Sequence, residues 1–194
     1  MAYMNPAASP GNVMLSPRIR AGIVVWLTGM SGAGKSTIAM ALRRAIEPSC
    51  DFVCMLDGDD LRRGVNSDLG FSDADRHENI RRIGEIAVLL ARQRAVCIVS
   101  AISPFEADRR LVRQLTEPLP FVEIFIDTPL DVCMTRDPKG LYRRALRGEI
   151  RQLTGFDSPY EKPSCPELTI DTSRSCVDSC TARIVEFLNG LAGE

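Results

Sequence analysis

The decisive stretch is Gly29-Met30-Ser31-Gly32-Ala33-Gly34-Lys35-Ser36-Thr37, preceded by the branched apolar run at residues 23–27 and followed by the helical pattern at 38–46. This is G-x-x-x-x-G-K-[ST] in a strand–loop–helix setting. Backbone N–H groups can surround phosphate oxygens only where side chains do not intrude, which assigns Gly29, Gly32 and Gly34. Ser31, Ala33 and Thr37 complete the cradle, and the helix that follows adds its positive end. In that chemistry Lys35 reaches the β- and γ-phosphates and the Ser36 hydroxyl ligates Mg2+. The loop therefore predicts a bound purine nucleoside triphosphate.

Working outward, short runs of branched apolar residues recur at 52–56, 96–100, 121–126 and 168–170. They are nearly continuous rather than alternating, as in strands buried on both faces of a parallel sheet. Segments with helical spacing lie between them. The clearest is 74–94, with Ile80, Ile83, Ala87 and Leu90 on one face and Ser72 and Asp75 as a capping box. Thr128-Pro129 reads as a second helix start, cap and then proline in the first turn. The expected fold is α/β, a doubly wound, mostly parallel sheet of the P-loop nucleotide kinase type.

At 194 residues, 45% hydrophobic and 25% charged, the chain matches one globular domain. Residues 1–20 read as a flexible tail without the apolar centre of a signal peptide, leaving 21–194 as the kinase domain. A formal net charge of -1 gives no reason to expect nucleic acid or an anionic membrane as partner. No apolar run approaches the roughly 20 residues of a membrane helix. Seven cysteines without a Cys-x-x-Cys pair fit a reducing, cytoplasmic setting. Cys176 and Cys180 would need outside ligands to hold a metal, and the single histidine is His77.

The second strand ends in Asp57-Gly58-Asp59-Asp60. Ligands of open α/β sheets sit beyond the carboxyl ends of strands, so these acids should face the γ-phosphate. A carboxylate there accepts a proton from an acceptor hydroxyl or helps to hold the metal. Acids so close repel one another, which makes Arg62 and Arg76 the expected neutralising cations; both could equally clamp an anionic acceptor. No guanine-reading N-K-x-D pattern is present, and there is no room for the added domains of a large ATPase. A small-molecule kinase fits best. The rivals are a related kinase acting on a nucleoside monophosphate or sugar acid, and a nucleotide-sensing module without turnover.

From Leu56 to Arg62, from Asn66 through Gly70-Phe71-Ser72 to Arg82, and at Ile102-Ser103-Pro104-Phe105, the sequence resembles adenylyl-sulfate kinase (APS kinase). Arg136-Asp137-x-Lys139-Gly140-Leu141-Tyr142 and Thr154-Gly155-Phe156-Asp157-Ser158-Pro159-Tyr160-Glu161 extend the resemblance over roughly residues 22–188. It implies transfer of the ATP γ-phosphoryl group to the 3′-hydroxyl of adenosine 5′-phosphosulfate, giving PAPS and ADP in sulfate assimilation. By position, Asp57 would orient or deprotonate that hydroxyl. Asp59, Arg62, Arg76, Asn79, Ile102 and Ser103 would bind the substrate, and Phe71 and Phe156, next to Gly155, would sandwich its adenine. Lys139 would come from a lid, and a homodimer is implied. Asp60 stands where the family usually carries asparagine.

Two local readings stay open. Ser103 is associated by the resemblance with a phosphoserine intermediate, yet Ser103-Pro104-Phe105-Glu106 also reads as a capping box with no base beside it. Residues 136–142 read either as the lid that excludes water from the γ-phosphate or as an exposed basic helix continuing through Arg143, Arg144 and Arg147.

Overall fold

Five apolar runs become five parallel strands, in the order β2-β3-β1-β4-β5. They are β1 (Ile23–Thr28), β2 (Val53–Asp57), β3 (Val96–Ser100), β4 (Phe121–Ile126) and β5 (Leu168–Ile170). The computed structural model describes residues 21–191, so the expected N-terminal tail lies outside the described residues. Register is set at the centre, where Val24 of β1 pairs with Cys97 on one side and Phe121 on the other.

Continuity of the apolar runs has a direct cause. Alternate residues of β1 feed two separate cores. Ile23, Val25 and Leu27 pack with Ile38, Leu42 and Ile184, whereas Val24 and Trp26 pack with Ile80, Ile83 and Val112. Helices α1 (Lys35–Ile46) and α7 (Val177–Gly190) thus cover one face, and α3 (Asp73–Arg92) and α4 (Glu106–Thr116) the other. Each large aliphatic side chain buried this way contributes roughly 1.5–3 kcal/mol. Three short helices, α2 (Gly58–Arg63), α5 (Leu130–Arg136) and α6 (Leu141–Leu146), lie in the loops that follow β2 and β4.

Helix α3 begins as its sequence directs. The Asp75 backbone N–H donates to Ser72 Oγ at 3.2 Å, and Ser72 Oγ donates to the Asp75 carboxylate at 2.6 Å. It ends two residues before the expected Arg94, which turns into the left-handed region at φ 67. Gly84 is required where α3 crosses α4, because a Cβ there would lie 2.6 Å from Val112 Cγ2.

Two helix starts differ from expectation. Helix α5 starts at Leu130 with Pro129 at the cap, and the Thr128 hydroxyl instead donates to the Ala33 carbonyl, 3.0 Å away, which ties β4 to the phosphate loop. Helix α4 is capped by no side chain of its own. Ser103 is not its cap: at φ 42 it cannot adopt the extended backbone that a cap needs. The free N–H of Glu106 is met from outside by the Glu161 carboxylate at 2.7 Å.

Candidate active site

The sheet order hangs the glycine loop from its central strand. Gly29, Gly32 and Gly34 adopt φ values of 148, 76 and 104. A Cβ on Gly29 would come within 2.7 Å of the Ile126 carbonyl oxygen. No side chain caps α1, so its first backbone N–H groups face the loop. Lys35 is buried, and its ammonium donates to the Gly29 and Met30 carbonyls at 2.8 Å each. Burial, reinforced by the nearby Lys139, pulls its pKa down to about 8.

Ser36 is where three elements converge. Its hydroxyl donates to Asp57 Oδ2 at 2.6 Å and lies 3.1 Å from the Ser100 hydroxyl. The other Asp57 oxygen accepts from the Asp59 backbone N–H at 2.9 Å, which starts α2. The tips of β2 and β3 are thus fastened to the first turn of the phosphate-loop helix, and the acid-tipped strand does face the loop.

The neutralising cations are other than expected. Lys139 pairs with Asp59, and Arg63 pairs with Asp60 on the surface. Arg62 donates to the Gly70 carbonyl at 2.7 Å and stacks on the Phe71 ring, its guanidinium carbon 4.7 Å from the centroid. Arg76 is buried and donates to the Phe71 carbonyl at 3.0 Å, the Thr154 hydroxyl at 2.8 Å and the Gln152 carbonyl. The arginines build the wall behind Phe71, and Arg62 also feels the negative charge of Asp59 without forming an ion pair with it.

A cleft of about 870 Å³ opens between these walls. Ser31, Gly32, Gly34, Lys35, Ser36 and Thr37 line its phosphate end. Asp59, Arg62, Phe71, Arg76, Asn79, Ile102, Ser103 and Lys139 line the remainder. Gly29 and Ala33 belong to the loop beside this lining, and the Asp57 carboxylate reaches the cleft edge, bonded to the lining residues Ser36 and Asp59. Gly155 and Phe156 fall elsewhere, in a separate cavity of about 560 Å³ beside Phe125 and Tyr160. The chain turns at Gly155, with φ 82, and Phe156 meets the edge of Tyr142 at 6.4 Å. Gln152, Leu153 and Thr154 take the place expected for that pair. Thr154 opens the motif that carries Phe156, and Gln152 and Leu153 directly precede it. Ser100, Arg144, Arg151 and Thr172 also line the cleft and were not anticipated.

Arg136, Pro138, Lys139 and Leu141 line the cleft, and Arg143 beyond them is exposed. Arg136 donates to the Thr172 carbonyl and hydroxyl at 2.8 Å each, and Lys139 reaches Asp59 from the opposite wall. Tyr142 is buried and donates to the Ser31 carbonyl at 3.0 Å, while Arg143 faces solvent. Ser103 is buried with its hydroxyl fully engaged: Trp26 Nε1 donates to it at 3.0 Å, and it donates to Thr28 Oγ1 at 2.9 Å. Neither partner is a base.

The family model for adenylylsulphate kinase matches residues 21–171. The chain belongs to the adenylylsulphate kinase family. The adenylyl-sulfate kinase of Geotalea uraniireducens is 52% identical over 166 residues, 86% of this chain and 80% of that protein. That of Bacillus pumilus is also 52% identical, over 85% of this chain and 84% of its own length. The structure resembles that of the Mycobacterium tuberculosis APS kinase CysC in complex with AMPPNP and APS. The TM-score is 0.82 and the identity 46%, over 86% of this chain and 97% of that one. A gluconokinase from Sinorhizobium meliloti, 19% identical with a TM-score of 0.58, shares the fold alone.

Proposed function

We propose that this protein is an ATP-dependent adenylyl-sulfate kinase, which transfers the γ-phosphoryl group of ATP to the 3′-hydroxyl of adenosine 5′-phosphosulfate. The observation that carries the reading is the 2.6 Å contact between Ser36 and Asp57. It brings the residue that meets the triphosphate and the residue that meets the acceptor hydroxyl to one point. Phosphoryl transfer needs little more from a protein than such positioning and charge stabilisation.

Each group has a role in that chemistry. The loop N–H groups and Lys35 hold the β- and γ-phosphates. Asp57 orients the 3′-hydroxyl and accepts its proton as the oxygen attacks phosphorus. Ser36, Asp57 and Ser100 form an all-oxygen donor set suited to Mg2+, which when bound neutralises charge on the phosphate oxygens. Phe71, backed by two guanidiniums, offers a face to the acceptor's adenine, with Leu153 on the cleft wall in the place first given to Phe156. Arg62, Arg76 and Asn79 supply donors for its anionic and polar groups, Asp59 and Lys139 close over it, and Ile102 and Ser103 form the floor. Cytoplasmic placement agrees with the free thiols of Cys54, Cys97, Cys133 and Cys180.

An ADP-release assay tests the assignment, comparing adenosine 5′-phosphosulfate with AMP, gluconate and no acceptor, with Mg2+ present. Release that depends on the sulfonucleotide is expected; equal release with AMP or gluconate, or none above the acceptor-free rate, refutes it.

A further inference from the structure

Behind the cleft floor runs a hydrogen-bond chain whose direction is fixed by counting donors. The indole of Trp26, the only tryptophan, can only donate, and it donates to Ser103 Oγ at 3.0 Å. The single Ser103 proton goes to Thr28 Oγ1 at 2.9 Å, and the single Thr28 proton goes to the Ile102 carbonyl at 2.7 Å. The remaining lone pair of Thr28 leaves Tyr160 as the donor of the 3.0 Å contact between their hydroxyls. Thr28 is the last residue of β1, one step from Gly29 of the phosphate loop. The chain of bonds therefore joins the loop that carries ATP to the floor that carries the acceptor.

Arg109 clamps the same region. It is 1% exposed, and its Nε donates to Glu123 of β4 at 2.7 Å. One terminal nitrogen donates to the Ser103 carbonyl at 2.8 Å and the other to the Glu161 carbonyl at 2.9 Å. The Glu161 backbone N–H in turn donates to the Pro104 carbonyl at 2.8 Å. A buried ion pair is a poor source of stability, because desolvation offsets most of its attraction. A fork held to three separate segments is better suited to fixing their geometry. Ser103 sits at φ 42, an unfavourable backbone for serine that persists only where its surroundings impose it.

We infer that Arg109 is a positioning residue for phosphoryl transfer: through the Ser103 carbonyl it sets the height of the acceptor floor, residues 102–105, against the end of β1. The inference rests on the reading of this cleft as the acceptor site. Arg109 does not line the cleft and bonds to no residue of the phosphate loop, so its loss should act on alignment of the acceptor.

The test uses the full chain with Arg109→Lys, which keeps the charge beside Glu123 and loses the fork, and Tyr160→Phe, which removes one hydroxyl from the network. Three readouts are taken: circular dichroism for folding, Trp26 fluorescence for the Ser103 contact, and steady-state kinetics varying each substrate. For folded Arg109→Lys we expect kcat/KM toward adenosine 5′-phosphosulfate to fall by about 10²-fold, the scale of a 1 Å misplacement. The KM for ATP should stay within about twofold, and the Trp26 emission maximum should shift. Wild-type emission with wild-type acceptor kinetics, or equal losses toward both substrates, overturns the inference. If Arg109→Lys fails to fold, Tyr160→Phe decides: a loss of about fivefold or more confined to the acceptor upholds it, and unchanged acceptor kinetics overturns it. A wild-type enzyme inert toward the sulfonucleotide refutes the proposed function on which the inference rests, whereas an active wild type leaves the variants to decide the inference.

Discussion

Lys35 sits in its cradle at the cost of some basicity, and pH should expose this. With its pKa near 8, the free enzyme loses the ammonium as pH rises through that value, so kcat/KM for ATP should decline above pH 8 in an initial-rate series. Between about 8 and the ordinary value of 10.5 the unfolded chain binds a proton that the folded chain lacks, so this group adds stability as pH rises across that window. Lys35→Ala should cost about 10²–10³-fold in turnover, as for one lost transition-state charge contact. Asp57→Ala should abolish transfer while a fluorescent ATP analogue still binds; retained turnover would remove its assigned role. Ser103→Ala should lower turnover only modestly, because its hydroxyl is a link in a chain and has no base to activate it. A near-total loss would restore the phosphoserine route. At this scale the phosphate loop was legible because its residues are contiguous and their chemistry is backbone chemistry. The partners of Ser103 were not legible, since Trp26 and Thr28 lie 77 and 75 positions away.

Two serines with nearly the same local pattern show how far an element's start can be read. Ser72 and Ser103 each precede an acid by three residues, yet only Ser72 caps a helix. Ser72→Ala should therefore cost about 1 kcal/mol in urea unfolding, whereas the Ser103 change should leave α4 itself intact. The difference is tertiary: Arg109 and Thr28 hold Ser103 in a backbone state that capping forbids. Gly84→Ala tests the crossing of α3 and α4. Alanine has the better helix propensity, but its Cβ would meet Val112 at 2.6 Å, so we expect a net loss of about 1–3 kcal/mol by thermal or urea unfolding. Strand positions were readable to within a residue because both faces are apolar. Phe156 is placed against the adenine by the family resemblance alone; the chain turns at Gly155, φ 82, and Phe156 lines the cavity beside Phe125 and Tyr160.

For the molecule as a whole, the same topology that made the strands readable also joins distant parts of the chain into one cleft. Residues 136–139 latch one rim to Thr172 and to Asp59 on opposite walls, so nucleotide binding should be felt throughout the domain. An ATP analogue at a hundredfold excess over its dissociation constant should stabilise the fold by about 2.7 kcal/mol, measured as a rise in melting temperature. The homodimer implied by the sequence resemblance is checked by sedimentation of the purified chain; a hexameric APS kinase from Thiobacillus denitrificans is 37% identical to it.

Asp57 is carried by β2, which has a neighbour on one side only, whereas the glycine loop hangs from β1, which is flanked on both sides. Amide protons along β2 should therefore exchange with deuterium sooner than those of β1. Thermal fraying would then silence the carboxylate proposed to act on the acceptor before it dismantles the grip on the cosubstrate. An ageing or heat-stressed preparation would go on occupying ATP after it had ceased to make product.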